Sequence, residues 1–210
     1  MVEIMGNFND RSFYDGKEDD EKKKIQDQLQ DPLTEKFLKT RQILLSGEIN
    51  KDLAEKIVRQ LLILEADSDK PISVFIDSPG GDVDAGFAIF DMLRFIKAPV
   101  TLIGMGLIAS AAALIILAVP KDHRWGLPNS HYLIHQPMSG MKGVATDIEI
   151  HAKEMSKTRD KLNRIIADAT GTPLERVAKD TDRDYWLDAE EAIDYGIISR
   201  IIATRNDFEK

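Results

Sequence analysis

From Gln42 onward, short apolar runs alternate with longer segments whose apolar residues recur every three or four positions. Gln42-Ile-Leu-Leu-Ser46 predicts a strand. Lys51 to Leu64 predicts a helix with Leu53, Ile57, Leu61 and Leu64 on one face and Asn50 as its N-cap. Pro71-Ile-Ser-Val-Phe-Ile-Asp77 alternates like a strand, Ser78-Pro-Gly-Gly81 reads as a turn, and Ala85 to Ile96 as the next helix. Pro99-Val-Thr-Leu-Ile103 predicts a short buried strand interrupted by Gly104 and Gly106. A helix from near Ser110 to Val119, stopped by Pro120, and a strand over His131–His135 follow.

The longest helical pattern spans Asp147 to Ala169 and ends at Gly171. Ile148, Met155, Leu162 and Ile165 or Ile166 form its apolar stripe, and Glu149–Lys153 and Asp160–Arg164 are expected ion pairs one turn apart. Thr172-Pro-Leu-Glu175 has the capping-box pattern with proline at the first helical position. Asp188-Ala-Glu-Glu191 starts a short helix that Gly196 ends, before a strand at Ile197–Ile202. Repeated strand-turn-helix units of roughly 30 residues predict an α/β protein with a parallel, helix-covered sheet.

Residues 1–25 break the pattern. Asp15, Glu18, Asp19, Asp20 and Glu21 precede Lys22-Lys-Lys24, and such a segment cannot bury enough to order itself, so a flexible charged arm is expected. Residues 26–205 read as one domain and 206–210 as a tail. A net charge of −8 and a pI near 5.1 argue against a nucleic-acid partner, which Lys and Arg would hold. With no cysteine, disulfides and thiolate chemistry are excluded. The start lacks the basic-then-apolar pattern of a secretory signal, so a cytoplasmic setting is expected. Val100 to Val119 carries no charge and is long enough to span a bilayer, but the glycines and Pro120 divide it into a strand and a core helix. No membrane partner is expected.

Three segments could carry chemistry. Ser110 lies in a run of small residues at a helix start, where free N–H groups and the positive dipole end suit an oxyanion; alone it reads more readily as a small residue packed in a tight strand-to-helix turn. Ser78-Pro-Gly-Gly81 lets backbone N–H groups approach a ligand, although a lone Pro-Gly-Gly is also an ordinary turn. His135 ends an apolar strand before Gln136-Pro137, where ligands of parallel sheets sit; an isolated histidine is otherwise structural. A metal site pairing His131 with His135 lacks further ligands at a telling spacing, so none is expected. Asp180, Asp182 and Asp184 are all possible orienting carboxylates, and spacing does not choose among them.

Taken together, Ile76-Asp-Ser-Pro-Gly-Gly-Asp-Val83, Ile108-Ala-Ser-Ala111, Leu127-Pro-Asn129, Leu133-Ile-His-Gln-Pro137, Ala145-Thr-Asp-Ile-Glu-Ile150, Lys157-Thr-Arg159, Lys161-Leu-Asn163 and Asp180-Thr-Asp-Arg-Asp184 occur in one order. That set, from about Gln42 to Ile202, resembles the ClpP family, the proteolytic subunits of the ATP-dependent Clp protease. The resemblance implies a ClpP/crotonase-like spiral of ββα units with a handle helix, at about 138–170. It implies a serine endopeptidase with Ser110, His135 and Asp184 as its catalytic set and the Gly81 and Ala111 N–H groups as its oxyanion hole. Substrate would bind as a strand along Gly80, Asp82, Val83, Met138, Ser139 and Gly140. Asp182 and Arg183 resemble the family's ring-contact pair.

The same resemblance implies two stacked heptameric rings, a hexameric Clp-family ATPase that consumes the ATP, unfolded polypeptide substrates in protein quality control, and no cofactor in this chain. Ala111-Ala112 stands where the family usually has Met-Gly, Pro120-Lys-Asp-His-Arg124 replaces a usually Gly-rich loop, and the aromatic stretch before the first strand is missing. Two other readings are a crotonase-type acyl-CoA enzyme, which needs no Ser-His-Asp set, and a non-catalytic or weakly active ring subunit pairing with an active paralogue.

Overall fold

The structure is a computed structural model that describes residues 32–208. The arm expected over 1–25 lies outside the described residues. Two units are distinguished, meeting in sequence between Thr40 and Arg41. In the first, helix α1 (Pro32–Lys39) closes with the Thr40 N–H donating to the Phe37 carbonyl.

The second unit starts with β1 (Gln42–Ser46), and Asn50 then caps α2 (Lys51–Asp67) by accepting from the Leu53 N–H. The predicted face of α2 is the buried one: Ile57, Leu61 and Leu64 go into the core, although Ala54 joins them in place of Leu53. β2 (Ile72–Ser78) leads to α3 (Val83–Phe95), which starts two residues earlier than the pattern predicts because the Asp82 carboxylate accepts from the Ala85 N–H. After β3 (Val100–Ala109), α4 (Ala111–Ile115) tightens into a 3-10 turn over Ile116–Ala118. β4 (Arg124–Gly126), β5 (His131–Ile134), α5 (Ala145–Thr170), α6 (Leu174–Asp180), β6 (Tyr185–Leu187), α7 (Ala189–Tyr195), β7 (Arg200–Ile201) and α8 (Arg205–Phe208) complete the unit.

The sheet runs β1-β2-β3-β4-β7, parallel throughout, and forks at β3. Leu102 to Gly104 of β3 pair with β4, whereas Leu107 to Ala109 pair with β5, and β6 adds to β5 in antiparallel fashion. Gly104 and Gly106 therefore do not end the strand, as the sequence suggests. A Cβ on Gly104 would lie 2.6 Å from the Tyr132 hydroxyl, so glycine is required by close packing inside the strand. Gly106 takes a positive φ of 60° against the Asp77 carboxylate, which accepts from the Leu107 N–H, where the β2–β3 register shifts.

Val100 to Val119, the uncharged stretch, is largely buried as this strand and helix, and no described helix is long and apolar enough to cross a membrane. Asp188 starts its helix as expected and does so through a capping box with Glu191, and Gly171 and Gly196 end α5 and α7 in the left-handed conformation. The Thr172 capping box does not form. Pro173 takes the cap position, and the Thr172 hydroxyl donates to the Tyr195 carbonyl instead. Glu149 and Lys153 pair at 2.8 Å, while Asp160 lies nearer its neighbour Arg159 than the expected Arg164. The last strand is shorter than expected, and the tail after it forms α8, which stacks Phe208 on Phe75.

Candidate active site

The fork decides what can meet. Residues Leu107, Ile108 and Ala109 stand beside His131, Tyr132 and Leu133, and the Ser110 N–H continues the ladder by donating to the Leu133 carbonyl at 2.9 Å. Ser110 thus leaves the end of β3 next to the end of β5. On the other side of β5, Tyr132, Leu133 and Ile134 stand opposite Leu187, Trp186 and Tyr185. The next antiparallel step sets His135 against Asp184.

The side chains close the arrangement. His135 Nε2 lies 2.8 Å from Ser110 Oγ, and His135 Nδ1 lies 3.0 Å from Asp184 Oδ1. The imidazole is largely shielded and the carboxylate is 61% exposed. Of the three aspartates that spacing leaves open, only Asp184 reaches the imidazole. Asp180 instead accepts from the Tyr195 hydroxyl and pairs with Arg176, and the Asp182 carbonyl accepts from Gln136 Nε2.

Ser110 precedes α4 with φ 56° and ψ −119°, a left-handed conformation that few side-chain-bearing residues adopt. That strained turn projects the hydroxyl from the junction of strand and helix. Ala111 is the first residue of α4, so its N–H has no carbonyl one helical turn back to bond. Gly80 packs directly against this junction: a Cβ there would lie 2.7 Å from Ser110 Cβ and 2.9 Å from the Ala111 nitrogen.

The turn before α3 is fixed in turn. The Gly80 N–H donates to Ser78 Oγ, the Ile49 N–H to the Gly80 carbonyl, and the Asp82 N–H to the Ile49 carbonyl. Among the described residues, neither the Gly81 nor the Ala111 N–H donates within the protein. Gly81 holds φ 148° against the Ile49 backbone, a position that excludes a side chain.

A mainly apolar pocket opens beside Ser110, lined by Val83, Leu114, Ile134, Pro137, Leu162 and Ile166 among others. Val83 is the one expected substrate contact that lines it; the Asp82 carboxylate caps α3, and Met138, Ser139 and Gly140 are exposed and do not line it. Ser139 Oγ is 3.0 Å from His151 Nε2 on α5. Asp182 and Arg183 are exposed beside Asp184. Ala112, in place of the usual glycine, is buried inside α4 and does not line the pocket. His131 is exposed on β5, and among the described residues no three acidic or imidazole groups converge as a metal-binding cluster.

Sequence reasoning missed Asn163. It is buried within α5 and bonded to Thr181 at 2.8 Å. A polar residue between Leu162 and the core position Ile166 was the available signal.

Comparison with known proteins gives one consistent result. The Clp protease family profile matches residues 25–205. A Treponema denticola protein described as ATP-dependent Clp protease proteolytic subunit 2 is 64% identical over 191 residues, covering 90% of this chain and 96% of the relative. A Rhizobium etli proteolytic subunit 3 is 52% identical over 171 residues, covering 81% and 88%. Among solved structures, a mutant ClpP1 from Listeria monocytogenes superposes with a TM-score of 0.78 at 49% identity, covering 83% of this chain and 98% of that one.

Proposed function

The chain belongs to the Clp protease family, and from that premise we propose that it is a serine endopeptidase in which Ser110, His135 and Asp184 act together. The observation that carries this reading is the unbroken hydrogen-bonded path Ser110 Oγ–His135 Nε2, His135 Nδ1–Asp184 Oδ1. His135 takes the Ser110 proton as the oxygen attacks a peptide carbonyl, and Asp184 holds the ring's tautomer and favours the imidazolium that forms. The tetrahedral oxyanion is received by the Gly81 and Ala111 N–H groups, whose freedom from internal partners suits that role. His135 then passes its proton to the leaving amine, and water activated by the same imidazole releases the acyl group.

An extended substrate lies along Gly80–Val83 and Met138–Gly140, with one side chain in the apolar pocket beside Ser110. Subunits assemble through the exposed handle segment and the Asp182–Arg183 corner into two stacked heptameric rings in the cytoplasm. A hexameric Clp-family ATPase feeds them unfolded chains; ATP is used there, and this chain needs no cofactor. The closed path from Ser110 to Asp184 favours this reading over a non-catalytic ring subunit, and a crotonase-type enzyme would leave it unexplained. A fluorophosphonate probe tests the chemistry: covalent labelling is expected in the wild type and lost in Ser110→Ala, and a wild-type protein that never labels would remove the peptidase reading. Native mass spectrometry tests the assembly, with a fourteen-subunit particle expected and a stable monomer as the contrary result.

A further inference from the structure

Asp184 is mostly exposed, and His135 is the hydrogen-bond partner of its side chain, so its place is set by its backbone. Residues 181–184 span the gap between α6 and β6. The β6 end is fixed by pairing of Tyr185 with Ile134. The other end is Thr181, and Thr181 is tied to Asn163. The Thr181 hydroxyl lies 2.8 Å from Asn163 Oδ1 and 2.9 Å from the Val177 carbonyl, sharing its one proton between them, and Asn163 and Thr181 are at least 95% buried. The Asn163 contact is the one that holds: without it Asn163 Oδ1 is buried with no partner, whereas the Val177 carbonyl still accepts from the Thr181 N–H.

The same knot reaches the imidazole. The Thr181 carbonyl accepts from the Gln136 N–H at 2.6 Å, and Gln136 Nε2 donates to the Asp182 carbonyl at 2.7 Å. Gln136 directly follows His135. The Asn163–Thr181 contact is thus connected through Gln136 to the end of β5, beside His135, and through the backbone to the start of β6, beside Asp184. Leu162 and Ile166, on the same turns of α5, wall the pocket beside Ser110.

We propose that Asn163 is a positioning residue for the reaction, holding Thr181 so that the Asp184 carboxylate meets His135 Nδ1. The inference rests on the peptidase reading. Its test uses the full chain, measuring fluorophosphonate labelling rates across probe concentration together with thermal unfolding. Asn163→Ala and Thr181→Val are each expected to slow labelling by roughly tenfold or more, since small displacements of reacting groups reduce rates steeply. The loss should fall on the maximal labelling rate, with the probe concentration at half-maximal rate unchanged, because a misplaced base slows the chemical step and not probe binding.

Thr181→Ser, which keeps the hydroxyl, should label near the wild-type rate. The Asn163→Ala, Thr181→Val double variant should be no slower than the slower single one. Wild-type labelling that is lost in Ser110→Ala upholds the peptidase reading by itself. With that in hand, single variants that keep the wild-type maximal labelling rate, whatever their melting temperature, would overturn the role of Asn163. So would multiplicative losses in the double variant.

Discussion

The two halves of α5 share one amphipathic pattern and have opposite surroundings. Toward its C-terminus Asn163 and Ile166 are buried, Leu162 and Ile166 wall the pocket, and the Arg124 guanidinium donates to the Ala169 carbonyl in the last turn. Burial lowers the Arg124 pKa to about 10, opposed by nearby Asp122, and the negative end of the helix dipole favours the cation that remains. Toward the N-terminus Ile148 and Ile150 are exposed, as are Val144, Met141 and Met138 in the preceding segment, Met138 at 80%. An apolar stripe records that something will cover it; it does not say whether the cover belongs to the same chain.

Five variants can break or sharpen that contrast. The largest effect is expected at Ile166, where Ile166→Ala removes buried side-chain volume and should destabilise the subunit by about 3 kcal/mol in denaturant melts. An equal loss from Ile150→Ala would erase the distinction between the halves. Gly80→Ala comes next, because its Cβ would press on Ser110 and on the Ala111 nitrogen at a backbone angle that disfavours side chains. Labelling or peptide cleavage should fall by about 100-fold, or roughly 2.7 kcal/mol, while the particle mass stays unchanged.

Asp188→Ala removes the α7 capping box and should cost about 1 kcal/mol of stability with turnover per folded subunit intact. The smallest effect on the fold is expected from Ile148→Glu with Ile150→Glu, within about 0.5 kcal/mol of the parent subunit by thermal melts. The same pair should shift native mass spectra from the ring particle toward smaller species. An unshifted spectrum would show that this face is not where rings join.

Most elements were legible because local pattern and tertiary need agreed. Asn50, Gly171 and Gly196 delimit their helices as their chemistry predicts, and the α2 stripe faces the core. Gly104 and Gly106 were misread as terminators because a sequence shows that glycine is needed, not whether for a turn or for a close approach. Thr172 was misread because a local pattern shows only the capping partner three residues on, whereas the hydroxyl goes to the Tyr195 carbonyl, which tertiary packing alone brings near. At the site, Ser110 and His135 stood out in sequence as residue types at element ends. Its positive φ did not, since serine gives no sign of a strained backbone. Among Asp180, Asp182 and Asp184 spacing could not choose, and the family motif pointed to Asp184; the geometric reason is the antiparallel pairing of β5 with β6, a contact across about fifty residues of chain that no local pattern encodes.

That pairing also limits how the chain can change its length. The acid stands opposite the imidazole only while each strand keeps its count of residues, since neighbouring positions on a strand point to opposite faces. A single insertion or deletion within Asp184–Leu187 would turn the carboxylate away even if every atom of the sheet stayed in place. The loop between β4 and β5 and the stretch from Met138 to Val144 carry no such parity, so related chains can lengthen or shorten there and still align the same three side chains.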